Sequence, residues 1–413
     1  MKNTKNYDII IIGSGPAGLS CAAGLANSEL KVAVISSNPD TMKFDVKGTS
    51  YGAITEMGLE KSIISAQDRF GMYSNKEKKV FRYREPKVCV IDFYKMLSIL
   101  KKRARCSFIE AEIVDVIRKK SGITAVDADN ISYSAKLLID CSGNCFVAAN
   151  SLKLKKSKVF YHCVSLIMEN CKIPKDKQRE MSLYMDNDLC NSALWFYPLD
   201  GNRCQIGLGE IAPFKIASTN ELKNKILKSR YLRPYRRMLS DSKIQRSTIV
   251  FGHNPVIQPL EKMQEDNLMF VGDSAGMATP LVGDGIRPSL IGGRNAAIVA
   301  QKAFEINDFS EKILEEHEKL WWTRFGQYYI WTMLLRHFIC THFDSKDWDE
   351  VVKIFKKLNE DEFWEIICSR LTSKQFFKLL DFKIIKDIAL DDLKKQMTFV
   401  STFNKRHETS ILI

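Results

Sequence analysis

The residues best suited to chemistry near the N-terminus form the glycine-rich turn Gly13–Gly18, "GSGPAG". Gly13 permits the tight turn, Gly15 lets a phosphate approach the backbone, and Gly18 lets the following helix pack closely against a strand. The turn lies between a predicted strand at residues 7–12, which is apolar from Ile9 onward, and a helical pattern, so the first N–H groups of that helix can hold phosphate oxygens. The sequence therefore predicts a dinucleotide site.

The second strand, in "KVAVISSNPD", ends in Ser36 and Ser37, where a dinucleotide site normally has an acid that binds a ribose hydroxyl. Ser36 offers a hydroxyl, which is a shorter and neutral partner. One weakened hydrogen bond costs roughly 1 kcal/mol, which many other contacts can offset. We therefore expect a divergent site for the same class of cofactor, and we expect Ser36→Glu to bind it more tightly.

Two further turns carry glycine and aspartate. The stretch Gly272–Gly276 contains Asp273 and is followed by Gly283–Ile286, "GDGI", while Asp140–Gly143 reads "DCSG". With the first turn, these motifs resemble in type and order those of the p-hydroxybenzoate hydroxylase-like superfamily of FAD enzymes, and Pro-Ala in the first turn is typical of flavin enzymes. The resemblance implies that Asp273 accepts a hydrogen bond from the ribityl chain, and that backbone N–H groups after it face the flavin ring.

The segment Ala193–Gly209, "ALWFYPLDGNRCQIGLG", narrows the resemblance to the geranylgeranyl reductase family. Trp195, Tyr197 and Pro198 match that family's substrate motif, as does Gly207-Leu208-Gly209. The resemblance covers most of the chain and implies an FAD-dependent reductase that saturates C=C bonds of isoprenoid chains in lipids or quinones. Trp195 and Tyr197 are predicted to contact substrate, although packing within the sheet would explain them equally well.

This sequence departs from the family at four positions. Ser36 replaces a Glu, Lys47-Gly48 replaces Cys-Gly, Val90 replaces an Arg, and Ala193 replaces an aromatic residue. These departures bear on cofactor affinity and substrate choice. The predicted cofactor-binding residues are Gly13, Gly15, Pro16, Ala17, Gly18, Ser36, Gly48, Ala111, Gly272, Asp273, Gly283, Gly285 and Ile286.

The reaction implied by the resemblance needs a proton as well as a hydride, because an isolated alkene is a poor hydride acceptor. Lys47 and His253 are the candidate catalytic groups beside the ring. Lys47 could instead be exposed or hold a flavin phosphate, and His253 could be a hydrogen-bonded loop histidine. No second GxGxxG turn indicates a nicotinamide domain, so the electron donor would be transiently bound NAD(P)H or a ferredoxin-like redox partner protein.

Strand and helix patterns alternate around the first cofactor motif, Gly13–Gly18, and again around the last, Gly272–Gly276. A βαβ unit at residues 7–35, with a helix over Leu19–Asn27, predicts an α/β fold with a parallel sheet. We predict a Rossmann-type FAD-binding domain at residues 1–150 and 247–306, an inserted antiparallel β-sheet substrate domain at 151–246, and a C-terminal helical region at 307–413.

Composition limits location and partners. The 413 residues include 45% hydrophobic residues and carry a net charge of +13, with ten bases against two acids in Lys215–Arg246. That segment is either a solvated helix or a surface for lipid phosphate; nucleic acid is not expected, since no binding motif accompanies the charge.

The chain has eleven cysteines without a CxxC pair and no apparent signal or membrane span. These features predict reduced thiols, a cytoplasmic location and no metal site. The aromatic stretch Lys319–Phe338 suggests peripheral membrane contact, but core packing or the roof of a lipid pocket would explain it as well.

Two other readings remain open. A flavin-dependent monooxygenase or halogenase would share the fold, but the first Trp of the halogenase motif and its Gly-Glu-Ala-Thr segment are absent. A degraded flavoprotein that binds a lipid or a partner would explain the four departures.

Overall fold

A computed structural model of the chain describes residues 4–37, 45–119, 122–154, 156, 159–186, 189–190, 192–212, 218–228, 243–244, 250–255, 260, 262–368, 370–379, 394–395 and 398.

The N-terminal part of the chain builds a mainly parallel sheet around the strand Ile9–Ile12, whose four isoleucines are all buried. Continuous apolar runs of this kind are typical of parallel strands covered on both faces. Within the described residues the spatial order of its six strands is Gln264–Glu265, Leu268–Phe270, Leu137–Asp140, Ile9–Ile12, Val32–Ser36 and Ser107–Glu110. Only the first pair in this order runs antiparallel.

Two helices lie side by side at this sheet. The helix Pro16–Gly24 starts three residues before the predicted Leu19, because Pro16 fits the first turn, and it ends at Gly24 instead of Asn27. It packs on the helix Ile286–Ile306. A Cβ on Gly293 of the second helix would lie 2.3 Å from the Ala17 carbonyl oxygen. Small residues therefore let the two cofactor-motif helices approach each other closely.

A second sheet contains the middle of the chain. In the described part of the chain its path is Lys243–Ile244, Phe160–Glu169, Arg203–Ala212, Leu194–Asp200, Glu180–Tyr184, Arg69–Tyr73 and Lys78–Arg82, with Val250–Pro255 paired to Phe160–Glu169. It is antiparallel as predicted except for the parallel pair Glu180–Tyr184 and Arg69–Tyr73. The predicted domain boundaries stay predictions, although strands from both sides of them enter this sheet.

Two smaller sheets complete the β-structure that the described residues show. One contains Thr4–Asn6, Ser132–Ala135, Gly122–Asp127 and Ile113–Lys119, and the other contains Val46–Ser50, Val88–Asp92 and Ile63–Gln67. Other α-helices are Tyr51–Glu56, Phe93–Arg103, Val147–Ser151 and Thr219–Lys228, and short 3₁₀ turns are Glu60–Ser62, Gly143–Cys145 and Gly272–Ala275.

The C-terminal region is helical, as predicted. Its helices are Glu311–Trp321, Gln327–His342, Ser345–Phe355, Glu360–Ile367 and Ser373–Leu379, with a π-helical turn at Trp322–Gly326. Phe363 stacks on Phe81 of the second sheet with ring centroids 3.8 Å apart, and Trp321 and Trp331 are buried. Several aromatic residues of this region therefore pack in the core, whereas Phe377 is 42% exposed, and the expected peripheral membrane contact stays a prediction.

The described part of the chain contains no helix that is both long and apolar enough to cross a membrane. Most of the basic segment Lys215–Arg246, including Pro234, lies outside the described residues. The helix Thr219–Lys228 is the part of it whose fold the structure gives in full.

Candidate functional site

The glycine turn has the geometry that its sequence predicts. Gly13 has φ +102°, and a Cβ there would lie 2.3 Å from the Cys141 carbonyl oxygen; one on Gly18 would lie 2.0 Å from the Gly13 oxygen. By contrast, a Cβ placed on Gly15 would have no atom of the described residues within 4 Å, so space is open there. Within the same residues, no side chain caps the helix that begins at Pro16. The first N–H groups of this helix are therefore available to phosphate oxygens.

Ser36 lies beside this turn. The Ser14 hydroxyl donates a hydrogen bond to the Ser36 Oγ at 3.1 Å, and the Ala111 N–H donates to the Ser36 carbonyl at 3.2 Å. The strands that precede Ser36 and Ala111 are parallel neighbours. The two residues therefore share the carboxyl edge of the sheet with the glycine turn, the edge at which ligands bind in such folds.

The second and third motifs hold each other in place. The Val271 N–H and the Ser274 hydroxyl both donate to the Asp140 carbonyl, at 2.9 and 2.6 Å. The Asp140 carboxylate accepts hydrogen bonds from the Ser142 and Ala148 N–H groups. Burial raises the pKa of this carboxyl. Asp140 is thus a structural residue that fixes the turn carrying Asp273.

Asp273 lines a cavity and reaches towards the glycine run that follows it. A Cβ on Gly285 would lie 3.3 Å from the Asp273 Oδ1, while a Cβ on Gly272, at φ +75°, would lie 2.9 Å from the Ala17 Cβ. Burial raises the pKa of Asp273 to about 7. The carboxyl is thereby poised to act as hydrogen-bond donor or acceptor near neutral pH.

Asp284, which sequence reasoning left out of the site, organises the glycine run. Its Oδ1 accepts hydrogen bonds from the Ile286 and Arg287 N–H groups at 3.1 and 3.3 Å, and from the Thr49 hydroxyl at 3.1 Å. The Gly283 N–H donates to the Thr279 carbonyl. Of the backbone N–H groups expected to face a flavin, those of Gly283 and Ile286 are therefore already used within the protein. The motif "GDG" was the available signal for Asp284.

Lys47 and Gly48 line the same cavity as Asp273, and each contacts a different neighbour. Lys47 forms an ion pair with the almost completely buried Asp45, at 2.8 Å between Nζ and Oδ2. A Cβ on Gly48 would lie 2.7 Å from the Tyr197 Cζ, so the predicted substrate residue Tyr197 lies directly on the predicted cofactor residue Gly48. Val90 pairs with Gly48 across two strands and is buried in the core.

His253 is not brought to the site by any described contact of its side chain. Its backbone pairs with His162 in the second sheet, and its side chain lies outside the described residues. The catalytic role predicted for it stays a prediction, as does that of Lys47.

The glycines of the substrate motif make room for aromatic rings. A Cβ on Gly207 would lie 2.0 Å from the Trp195 ring, and one on Gly209 would lie 2.3 Å from the Tyr161 ring. Trp195 and Tyr197 are partly exposed to the cavity, with their rings 6.4 Å apart. Tyr161, missed from the sequence, thus joins the two predicted aromatic residues in the cavity wall.

One cavity of about 500 Å³ joins these groups. Its cofactor end includes Pro16, Lys47, Gly48, Asp273, Gly283 and Gly285. Its other end is apolar, with side chains from the second sheet and the C-terminal helices, among them Phe70, Leu183, Ile339, Phe343, Trp348 and Phe355. A cavity of this size with a largely apolar lining suits an apolar ligand beside a few polar groups.

Comparison with known proteins agrees with this architecture. Residues 7–179 match the pyridine nucleotide-disulphide oxidoreductase family. The digeranylgeranylglycerophospholipid reductase of Methanocaldococcus jannaschii is 24% identical over 379 residues, covering 86% of this chain and 88% of that protein. The resemblance to the geranylgeranyl reductase family is confirmed. The Rossmann-type FAD-binding fold and the C-terminal helical region are confirmed as well.

Solved structures similar to the chain fall into more than one flavoenzyme class. A geranylgeranyl bacteriochlorophyll reductase-like protein of Thermoplasma acidophilum has a TM-score of 0.79 at 19% identity, covering 95% of this chain and 100% of that one. A flavin-dependent brominase has a TM-score of 0.69 at 15% identity, with the same coverage. The fold is therefore shared by reductases of this family and by halogenating enzymes.

Proposed function

We propose that the chain is an FAD-dependent oxidoreductase that reduces C=C bonds of a prenyl chain, of geranylgeranyl type, in a lipid or quinone. The observation that carries this proposal is the single cavity that runs from the cofactor motifs to an aromatic and aliphatic wall. A monooxygenase for a small polar substrate would have little use for so long an apolar wall.

The residues present fit FAD. The open space at Gly15, the uncapped start of the helix Pro16–Gly24 and the cavity-lining Asp273 lie at the points where pyrophosphate and ribityl chain would be held. When bound and reduced, FAD supplies a hydride to the substrate. Tyr197 on Gly48, and Tyr161 beside Gly283, would form the wall opposite the flavin.

The chain's own residues position the substrate and exclude water. Trp195 and Tyr197 present ring faces and edges to the cavity, while the C-terminal helices close its apolar end. Lys47, held by Asp45, is a cationic group that lines the cavity and would deliver a proton as charge develops on carbon. We propose NAD(P)H or a ferredoxin-like protein as the electron donor.

A second candidate function has one observation in its favour, the fold shared with a flavin-dependent brominase. Oxygen separates the two candidates. FAD-loaded protein would be incubated with geranylgeranyl lipids and a reductant, with and without oxygen, and products measured by mass spectrometry. The proposal expects saturated products under strictly anaerobic conditions. Products that form only with oxygen would favour the monooxygenase or halogenase. A colourless protein that does not take up FAD would favour a degraded flavoprotein.

A further inference from the structure

Arg336 is a buried cation in the wall of the cavity. It lies in the helix Gln327–His342, immediately after Leu335, and the residue is only 2% exposed. Leu335 and Ile339 of the same helix line the apolar part of that wall. A charged group has therefore been placed where the surrounding surface is largely apolar.

The charge of Arg336 has no acidic partner among the described residues. Its Nη2 donates a hydrogen bond to the Ser192 Oγ at 2.6 Å, and its Nε has no hydrogen-bond partner in the part of the chain that the structure describes. Burying a cation without a counter-charge costs several kcal/mol. Arg287, which lines the same cavity, differs: its Nε lies 3.7 Å from the Asp284 carboxylate and its Nη2 donates to the Cys368 carbonyl.

The groups around Arg336 are neutral and rich in donors. Ser192 is buried and donates its own proton to the Tyr161 hydroxyl oxygen at 3.0 Å, which leaves the Tyr161 proton available to another acceptor. Burial raises the pKa of Tyr161 and of Cys190 nearby, so both stay protonated at neutral pH. Ser192 and Tyr161 line the cavity with Arg336. Arg336, Ser192 and Tyr161 together offer one positive charge and hydrogen-bond donors, while the buried carboxylate of Glu210, whose charge acts on Cys190, is paired with Lys225.

We propose that Arg336, Ser192 and Tyr161 form an anion-binding subsite in the cavity wall, which binds a phosphate group carried by the substrate. A guanidinium has the planar arrangement of donors that matches a phosphate, and Arg336 lines the cavity with a buried Nε that lacks a partner within the described residues. The hydrocarbon chain of the same ligand would lie along the apolar wall next to Leu335 and Ile339. This inference rests on the proposed function, because it assumes that the cavity is the substrate site.

The experiment measures binding to the FAD-loaded protein by calorimetry, with farnesyl phosphate and farnesol as matched probes. Wild type is expected to bind the phosphate roughly tenfold more tightly than the alcohol. Arg336→Met should remove that preference and leave farnesol binding unchanged, and Arg336→Lys should restore part of it. Arg370→Gln is the control, since Arg370 is exposed and pairs with Glu365. An Arg336→Met protein that keeps the preference overturns the subsite.

Inorganic phosphate separates failure of the subsite from failure of the proposed function. Phosphate should raise the melting temperature of wild type but not that of Arg336→Met. If phosphate raises the melting temperature but neither farnesyl compound binds, the subsite is supported and the prenyl substrate is rejected. If both farnesyl compounds bind equally tightly, the prenyl substrate is supported and the subsite is rejected.

Should Arg336→Met not fold, Ser192→Ala and Tyr161→Phe give the test. Each removes one hydroxyl and should weaken phosphate binding, and retention of full phosphate affinity in both would overturn the subsite.

Discussion

Ser36 stands where an acid would bind the adenosine ribose, and its hydroxyl has a partner within the protein. Ser14 of the glycine turn donates to it at 3.1 Å. The serine therefore links the end of its strand to the phosphate turn, and its two remaining hydrogen-bonding positions can still serve a ribose. This contact joins residues 22 positions apart and could not be predicted from the sequence. The sequence did predict that Ser36 lies at the cofactor site.

Ser36→Glu is expected to bind FAD about fivefold more tightly, because a carboxylate accepts stronger hydrogen bonds from ribose hydroxyls than a serine does. The measurement is a fluorescence titration of FAD into the flavin-free protein. Ser37→Glu places the same charge on the exposed neighbouring residue and should leave the affinity unchanged. Weaker binding by Ser36→Glu would show that Ser36 does not face the ribose.

Asp273 gives the flavin-free protein a pH-dependent stability. Its pKa is raised to about 7 by burial, so the folded chain retains a proton that the unfolded chain releases above about pH 4. The stability from this protonated carboxyl is fully present below about pH 4 and is lost as the pH rises through about 7.

Asp273→Asn should therefore flatten the decline in stability between about pH 5 and pH 8. At about pH 8 the variant should be more stable by about 2 kcal/mol, a figure reduced because water reaches the carboxylate through the open cavity. Urea unfolding of the flavin-free proteins at both pH values measures this. Asp176→Asn, at an exposed aspartate, should keep the wild-type slope. Equal slopes for wild type and Asp273→Asn would be inconsistent with a buried, protonated Asp273.

At the scale of the elements, the second sheet brings glycines and aromatic rings together across strands. Gly207 lies under Trp195 and Gly209 lies under Tyr161. The glycines of this motif thus shape the cavity by leaving space for rings that partly face it. The sequence motif indicated which residues matter, but only strand register shows which glycine serves which ring.

Gly207→Ala is expected to destabilise the protein by about 2 kcal/mol, because its Cβ would lie 2.0 Å from the Trp195 ring and force that ring to move. Thermal unfolding and tryptophan fluorescence measure the two consequences. The control is Gly201→Ala, in the hairpin turn of the same sheet, where a Cβ meets no atom within 4 Å. If both variants behave alike, the ring does not occupy the position described.

Local patterns also predicted the helix and strand order around the cofactor motifs, with boundaries shifted by a few residues. The bonds from the Ile286 and Arg287 N–H groups to the Asp284 carboxylate span two and three residues, so local spacing could have indicated them. The bond from the Thr49 hydroxyl to the same carboxylate joins residues distant in sequence, and it could not be predicted because it depends on the tertiary structure.

At the scale of the whole molecule, the cavity is assembled from the N-terminal cofactor motifs, the middle sheet and the C-terminal helices. The sequence predicted each part and an apolar cavity. It did not predict which helical residues line that cavity, because aromatic residues are as frequent in the core as in the wall. Ile339 and Trp348 face the cavity, whereas Trp321 lies in the core around the first sheet.

Ile339→Trp should shorten the space available to a prenyl chain. Because the larger ring fills part of the apolar end, geranylgeraniol should bind at least about fivefold more weakly while geraniol is little affected. Calorimetry with both alcohols measures the selectivity. Ile298→Trp is the control, since Ile298 is 52% exposed on the helix Ile286–Ile306. Equal loss of affinity for both alcohols would mean that the space filled by the new ring does not limit the length of prenyl chain that the cavity binds.

The proposed function requires that reduced FAD in this cavity passes its reducing equivalents to a prenyl double bond. A single turnover without oxygen tests this: the FAD-loaded protein is reduced with dithionite and mixed with a geranylgeranyl lipid. The absorbance of oxidised flavin should return, and each flavin reoxidised should yield one saturated lipid double bond, measured by mass spectrometry. A flavin that stays reduced until oxygen is admitted, with no saturated lipid formed, would rule out the proposed function.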